Sequence, residues 1–156
     1  MDDFKSKIKT LVTENRKVYF EYTIEETIEA GIVLQGTEVK SLRIRQASIQ
    51  ESHVEEEDGE LYLHGCFIPE YDKAFFSNHY PRRPRKLILH KREINRLMGL
   101  IERKGYTVVP VKIYFNKRNL AKVMLAVVKG KKQHDKRETI KERDWNRQKA
   151  RVLKGE

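Results

Sequence analysis

At 156 residues, with 33 Lys and Arg against 23 Asp and Glu, the chain carries a formal net charge of +10. That length allows one domain with an appendage, and the cation excess points to a polyanion, nucleic acid ahead of an acidic membrane or protein surface. A single cysteine, Cys66, leaves no internal disulfide or zinc knuckle; with no apolar run near the roughly 20 residues of a membrane helix and no signal-peptide core in MDDFKSKIKTL, the expected compartment is the cytoplasm, with no membrane partner.

Residues 4–12 place Phe4, Ile8, Leu11 and Val12 at helical spacing, which predicts a short helix or a frayed arm. From Val18 the period changes to two: Val18, Phe20, Tyr22 and Ile24 alternate, and Ile28, Ala30, Ile32 and Leu34 continue as one bent strand or a second one. After Gly36, Thr37 is the expected cap of a short helix through Arg43. Asp58-Gly59 is a hairpin signal between strands at 49–56 and 60–68. A long loop, 69–86, follows. Ile94, Leu97, Met98 and Ile101 then mark a helix that Gly105 stops. Val109, Val111, Ile113 and Phe115 alternate, as do Val123, Leu125 and Val127, around a turn at 116–119.

About six short strands and one inserted helix, without β-α-β alternation, predict a mainly β fold. The expected architecture is a small antiparallel oligonucleotide-binding-type β-barrel with one inserted α-helix and one short helix. The domain reading is an N-terminal arm (1–14), an RNA-binding β-barrel (15–128) and a basic C-terminal tail (129–156).

That tail holds eleven Lys or Arg against five Asp or Glu, so it supplies +6 of the net charge. Its few apolar residues, among them Ile140 and Trp145, make no clean stripe, which predicts a segment that is disordered or partly helical alone and helical on a partner. As a helix from Lys131 to Lys154 it spans about 36 Å, suited to a narrow phosphate-lined channel. A solubilising tail is the alternative, but a lone Trp among charges argues for something that covers it.

The stretch HYPRRPRKLILHKR, 79–92, sets Arg82, Arg83, Arg85, Lys86, Lys91 and Arg92 beside His79, Tyr80 and His90. Cations neutralise phosphates while His79 and Tyr80 offer rings for unpaired bases, so RNA contact is expected here. Arg16 and Lys17 add two cations, and Glu29 is an acceptor for base N–H groups or an ordinary solvated carboxylate. None of the histidines, 53, 64, 79, 90 and 134, falls in a metal or nucleophile motif, and no phosphate-cradling glycine loop exists. The acidic runs at 25–26 and 55–58 read as solvated faces. The expectation is a protein that is not an enzyme and uses no cofactor or metal.

Four stretches, EAGIVLQGTEVKSLR, RKLILHKREI, KGYTVVPVKIY and KGKKQHDKRETIKERDW, together resemble the small protein B (SmpB) family of SsrA-binding proteins. The likeness runs from about Asn15 to Trp145, in the family's order. It implies a barrel that grips the tRNA-like domain of transfer-messenger RNA (tmRNA, SsrA RNA) in trans-translation, the rescue of stalled bacterial ribosomes. Glu29, Ile88 and Lys122 match the RNA-gripping positions, with Arg82, Arg83, Arg85, Lys86, His90 and Lys91 near the same RNA. The resemblance further implies that the tail enters the ribosome's empty mRNA channel, against small-subunit rRNA. Gly130, Lys131 and Lys132 would lead into it, His134, Asp135, Lys136 and Arg137 would sit at the decoding centre, and Ile140 and Trp145 further along. Elongation factor Tu would join through the aminoacylated tmRNA complex. A general ribosomal or tRNA-binding protein with a basic extension is the rival reading. Two positions depart from the family's habit: Phe20, where many members have His, and Arg45, where Gly is common, which leaves the loop shape at 45 open.

Overall fold

The computed structural model describes residues 7–130, 143 and 145–148. Through residue 130 the element order is β1 (Ile8–Glu14), α1 (Lys17–Glu21), β2 (Tyr22–Ile32), α2 (Gly36–Arg43), β3 (His53–Glu57), β4 (Glu60–His64), β5 (Arg85–Ile88), α3 (Lys91–Lys104), β6 (Thr107–Asn116) and β7 (Ala121–Gly130). The strands form one antiparallel sheet in the order β1-β6-β7-β2-β5-β4-β3. The sheet curls until β3 packs against β6, yet no ladder joins them among the described residues, so it stays open. The mainly β expectation holds.

Several local expectations do not. Residues 8–14 are a strand on the β6 edge, not a helix. Thr10, Val12 and Thr13 are β-branched, and the unpaired edge of β6 offers hydrogen bonds that a short isolated helix cannot match. The alternation from Val18 begins as helix: α1 buries Val18, and the strand starts only at Tyr22. From there β2 is one long strand with a bulge between Ile24 and Glu26. A seventh strand, β5, occupies the end of the supposed loop, with Arg85 and Leu87 buried and Lys86 and Ile88 exposed.

The main core gathers Leu42 of α2, Leu61 and Leu63 of the hairpin, Leu87 of β5, Ile94 and Leu97 of α3, and Ile113, Val123, Leu125 and Val127 of β6 and β7. A smaller apolar cluster covers the outer face with Val18, Val109, Val111, Tyr114, Met124, Ala126 and Val128. A bulge between Pro110 and Lys112 shifts the alternation by one. Val109 and Val111 therefore face outward, while Ile113 and Phe115 belong to the main core, so the four do not share a face as their spacing predicts.

Helix α2 begins at Gln35 rather than Thr37: the Gln35 amide donates to Glu38 Oε1 at 2.7 Å, and the Gln35 side chain accepts from the Glu38 amide. It ends at Ile44 with paired bonds, Arg45 N to Leu42 O at 2.9 Å and Gln46 N to Ser41 O at 3.1 Å, a Schellman closure. Arg45 takes the left-handed position of that closure, φ +59°. Arg45 thus holds a backbone shape that glycine adopts at least cost. Helix α3 ends as expected on Gly105, φ +68°.

Candidate nucleic-acid interface

Strand register brings Glu29, Ile88 and Lys122 together. Gly31 of β2 lies opposite both Ile88 of β5 and Lys122 of β7, and Glu29 lies two residues from Gly31, on the same side of the strand. Lys122 in turn faces Tyr114 of β6. Glycine at 31 makes room: a Cβ there would stand 3.1 Å from Ile88 Cβ. Ile88 is left 57% exposed, and Leu120, at the start of β7, 53%. With Lys122 they rim an apolar cleft of about 260 Å³ whose floor includes Gly31 and Leu34.

Glu29 lines a second cleft, of about 460 Å³, with Lys7, Asn116, Lys117 and Arg118. The β6–β7 turn builds this rim. Asn116 Oδ1 accepts from the amides of Arg118 and Leu120, each at 3.0 Å, and Asn119 adopts φ +61°. The Tyr114 hydroxyl donates to Glu29 Oε2. The face therefore juxtaposes a carboxylate acceptor, several cations and exposed aliphatic carbon, which suits ribose, base edge and phosphate together.

The basic loop divides differently from its sequence. Lys86, His90 and Lys91 are exposed, although His90 also caps α3, its amide donating to Glu93 Oε1 at 3.1 Å. Arg82 lies over the Phe67 ring at 5.3 Å and is exposed, and Tyr80 is 83% exposed. Arg85, by contrast, is fully buried. It donates to Glu38, to Cys66 O at 2.8 Å and to Pro81 O at 3.0 Å, and Arg83 shares the same carboxylate. Burial opposes ionisation of Glu38, but hydrogen bonds from Arg83, the Gln35 amide and Arg85 outweigh it and hold the carboxyl below its usual range. Arg85 therefore fastens the loop to α2 and is not free to meet a ligand.

His79 is likewise buried, contrary to the expectation that its ring stacks on bases. Its Nε2 donates to Ile68 O at 2.8 Å, and its Nδ1 lies 2.8 Å from Thr37 Oγ1. Asn15 is buried too, its Oδ1 accepting from the Lys17 amide at 3.2 Å, while Arg16 and Lys17 are exposed.

On the hairpin, Glu55, Glu57 and His64 bring donor atoms within 4.8 Å of one another. His64 reaches Glu57 at 3.1 Å, and His53 reaches Glu55 at 2.6 Å. These hydrogen bonds explain the cluster, and both carboxylates are about half exposed.

Gly130 is exposed at the end of β7, opposite Tyr22. Lys131, Lys132, His134, Asp135, Lys136, Arg137 and Ile140 lie outside the described residues. Residues 143 and 145–148 are helical; the Arg143 guanidinium stands 5.1 Å from the Phe20 ring centre, and Trp145 is 59% exposed. No described helix is long and apolar enough to cross a membrane. Sequence reasoning missed Lys7, Tyr114, the 116–118 turn and Leu120; only the turn signal pointed toward them.

The chain matches the SmpB protein family over residues 12–155. It is 55% identical over 154 residues to the SsrA-binding protein of Bradyrhizobium sp. strain BTAi1, covering 99% of this chain and 98% of that protein. It is 53% identical over 154 residues to the SsrA-binding protein of Afipia carboxidovorans, with the same coverage. A chain solved in the work "tmRNA-SmpB: a journey to the center of the bacterial ribosome" superposes with TM-score 0.66 and 50% identity, over 82% of this chain and 93% of the other.

Proposed function

This chain belongs to the SmpB protein family, and on that basis we propose that it is the tmRNA-binding adaptor of bacterial trans-translation, working in the cytoplasm and carrying tmRNA to stalled ribosomes. The observation that carries the assignment of its surface is the convergence of Glu29, Ile88 and Lys122 on one face of three adjoining strands, within two residues of one level. There a carboxylate accepts from base N–H groups, Lys122 meets phosphate, and Ile88 with Leu120 packs on ribose or base. Lys86, Arg82, Lys91 and the 116–118 turn extend the positive rim. Recognition of this kind reads RNA shape more than sequence.

The C-terminal segment 129–156 supplies the second half of the function. In this reading it enters the vacant message channel as a helix, with His134, Asp135, Lys136 and Arg137 at the decoding centre and Ile140 and Trp145 beyond. Gly130, Lys131 and Lys132 form the lead-in. Elongation factor Tu is reached through the aminoacylated tmRNA. The protein holds and presents RNA without catalysing a reaction.

One experiment tests both halves. Truncation after Gly130 is expected to leave affinity for tmRNA within a few-fold and to abolish tagging on stalled ribosomes. Equal loss of both activities refutes the two-part reading. Competition by elongator tRNA as effective as tmRNA assigns the body to a general RNA binder instead, and turnover of labelled RNA with Mg²⁺ refutes the adaptor role.

A further inference from the structure

We propose that Tyr114 is a positioning residue for RNA capture: its hydroxyl holds one oxygen of the Glu29 carboxylate and leaves the other for a base edge in the adjoining cation-lined cleft. The proposal rests on the reading of Glu29 as an RNA contact and adds the group that makes that contact effective.

Three observations carry it. The Tyr114 ring is fully buried in the outer apolar cluster, between Val111 and Met124 in the chain order of that face, so its hydroxyl has a fixed place. Glu29 Oε2 accepts from that hydroxyl across β7, and among the described residues Oε1 has no hydrogen-bond or ion-pair partner. Lys7, Lys117 and Arg118 line the same cleft as Glu29, yet none is within ion-pair distance of it.

A glutamate on a strand has three rotatable bonds and strong attraction to nearby cations. Untethered, it would swing onto Lys7, Lys117 or Arg118, and each such pair would cancel an acceptor for bases and a cation for phosphates. The hydroxyl prevents this. It keeps negative and positive groups apart on one rim, an arrangement that fits a nucleotide with base N–H donors at one end and phosphate at the other. The ligand class is therefore an unpaired nucleotide of structured RNA whose base presents N–H groups, such as guanine. Burial, then the hydrogen bond to Glu29 and its charge, push the Tyr114 hydroxyl far above its ordinary range, so it stays a donor throughout working pH.

The test is a double-mutant cycle on the full chain, with a transcript of the tRNA-like domain of tmRNA as probe. Tyr114→Phe removes one oxygen from a ring that stays packed, and Tyr114→Met fills the site differently, guarding against a packing artefact. Each is expected to weaken binding about tenfold and to lower the slope of log affinity against log salt by about 1, because the freed carboxylate claims one phosphate-binding cation. Glu29→Ala is expected to weaken binding at least as much, and adding Tyr114→Phe to it should cost no more than about twofold further. Additive losses, or wild-type binding by both Tyr114 variants while Glu29→Ala is weakened, overturn the positioning role and leave the Glu29 contact standing. Wild-type binding by Glu29→Ala overturns the Glu29 reading itself.

Discussion

Arg85 donates its Nε to the Glu38 carboxylate in a setting where neither side chain reaches solvent. One ion pair thus ties the first turn of α2 to β5 across 47 positions of chain. Arg83 completes a triad, and the remaining guanidinium donors of Arg85 end on loop carbonyls. The pair holds the base of the 65–84 loop and, through β5, the strand that presents Ile88.

Glu38→Gln leaves Arg85 buried without a counter-charge and is expected to destabilise the body by about 3–5 kcal/mol. Thermal unfolding should show a fall in Tm of roughly 10 °C. Exchange of the pair for apolar residues, Glu38→Leu with Arg85→Met, should recover much of the loss. Because the folded-state pKa of Glu38 is depressed, its contribution is complete above the unfolded carboxylate range and disappears as pH falls through the folded value. Chemical denaturation from pH 7 downward should therefore show wild type losing more stability than Glu38→Gln.

At Arg45 the opposite sign is expected. A non-glycine side chain in the left-handed region costs about 1–2 kcal/mol, partly offset because glycine loses more freedom on folding. Arg45→Gly should raise stability by roughly 0.5–1 kcal/mol, read as an increased denaturation midpoint at unchanged m-value. Destabilisation would mean that the arginine side chain makes a contact worth more than the backbone strain.

Two other glycines separate backbone strain from collision. Gly59 and Gly65 have φ of +80° and +78°, but a Cβ on Gly59 meets open space while one on Gly65 lies 2.4 Å from Glu51 O. Gly59→Ala should cost about 1–2 kcal/mol. Gly65→Ala should cost about 3 kcal/mol or more, since backbone must move. Equal Tm losses would contradict this ordering.

Affinity measured over a salt range distinguishes the contacts on the proposed RNA face. Lys122→Ala should weaken tmRNA binding and reduce the salt slope by about 1, as expected of one phosphate contact. Ile88→Ala should weaken binding at every salt concentration with the slope unchanged, because it removes apolar area and no charge. A changed slope for Ile88→Ala would place it among side chains that organise cations.

The legibility of these features follows their range. The turn at Asp58-Gly59, helix α3 and strand β7 carry their own period and stop signals and appear where the residues place them, although the hairpin strands are shorter than expected, His53–Glu57 and Glu60–His64. Strand β1 exists because β6 offers an edge, which no local pattern reveals. Strand β5 is four residues long and hidden in a basic run; only its alternation separates buried Arg85 from exposed Lys86. Resemblance pointed to Glu29, Ile88 and Lys122, and the register brings them to one face. The Tyr114–Glu29 bond spans 85 positions and crosses a strand, so composition and periodicity are silent about it.

Strand β7 begins beside the proposed RNA face and ends at the root of the C-terminal segment. Lys122 pairs with Gly31 at one end and Gly130 with Tyr22 at the other, eight positions and roughly 26 Å apart. On the proposed reading the strand separates the RNA contact from the start of the C-terminal segment, with a paired neighbour on each side. Adding two residues to it would preserve which face every side chain presents but move the segment's origin by about 7 Å. On the proposed reading, the length of this one strand sets how far the RNA contact stands from the root of that segment.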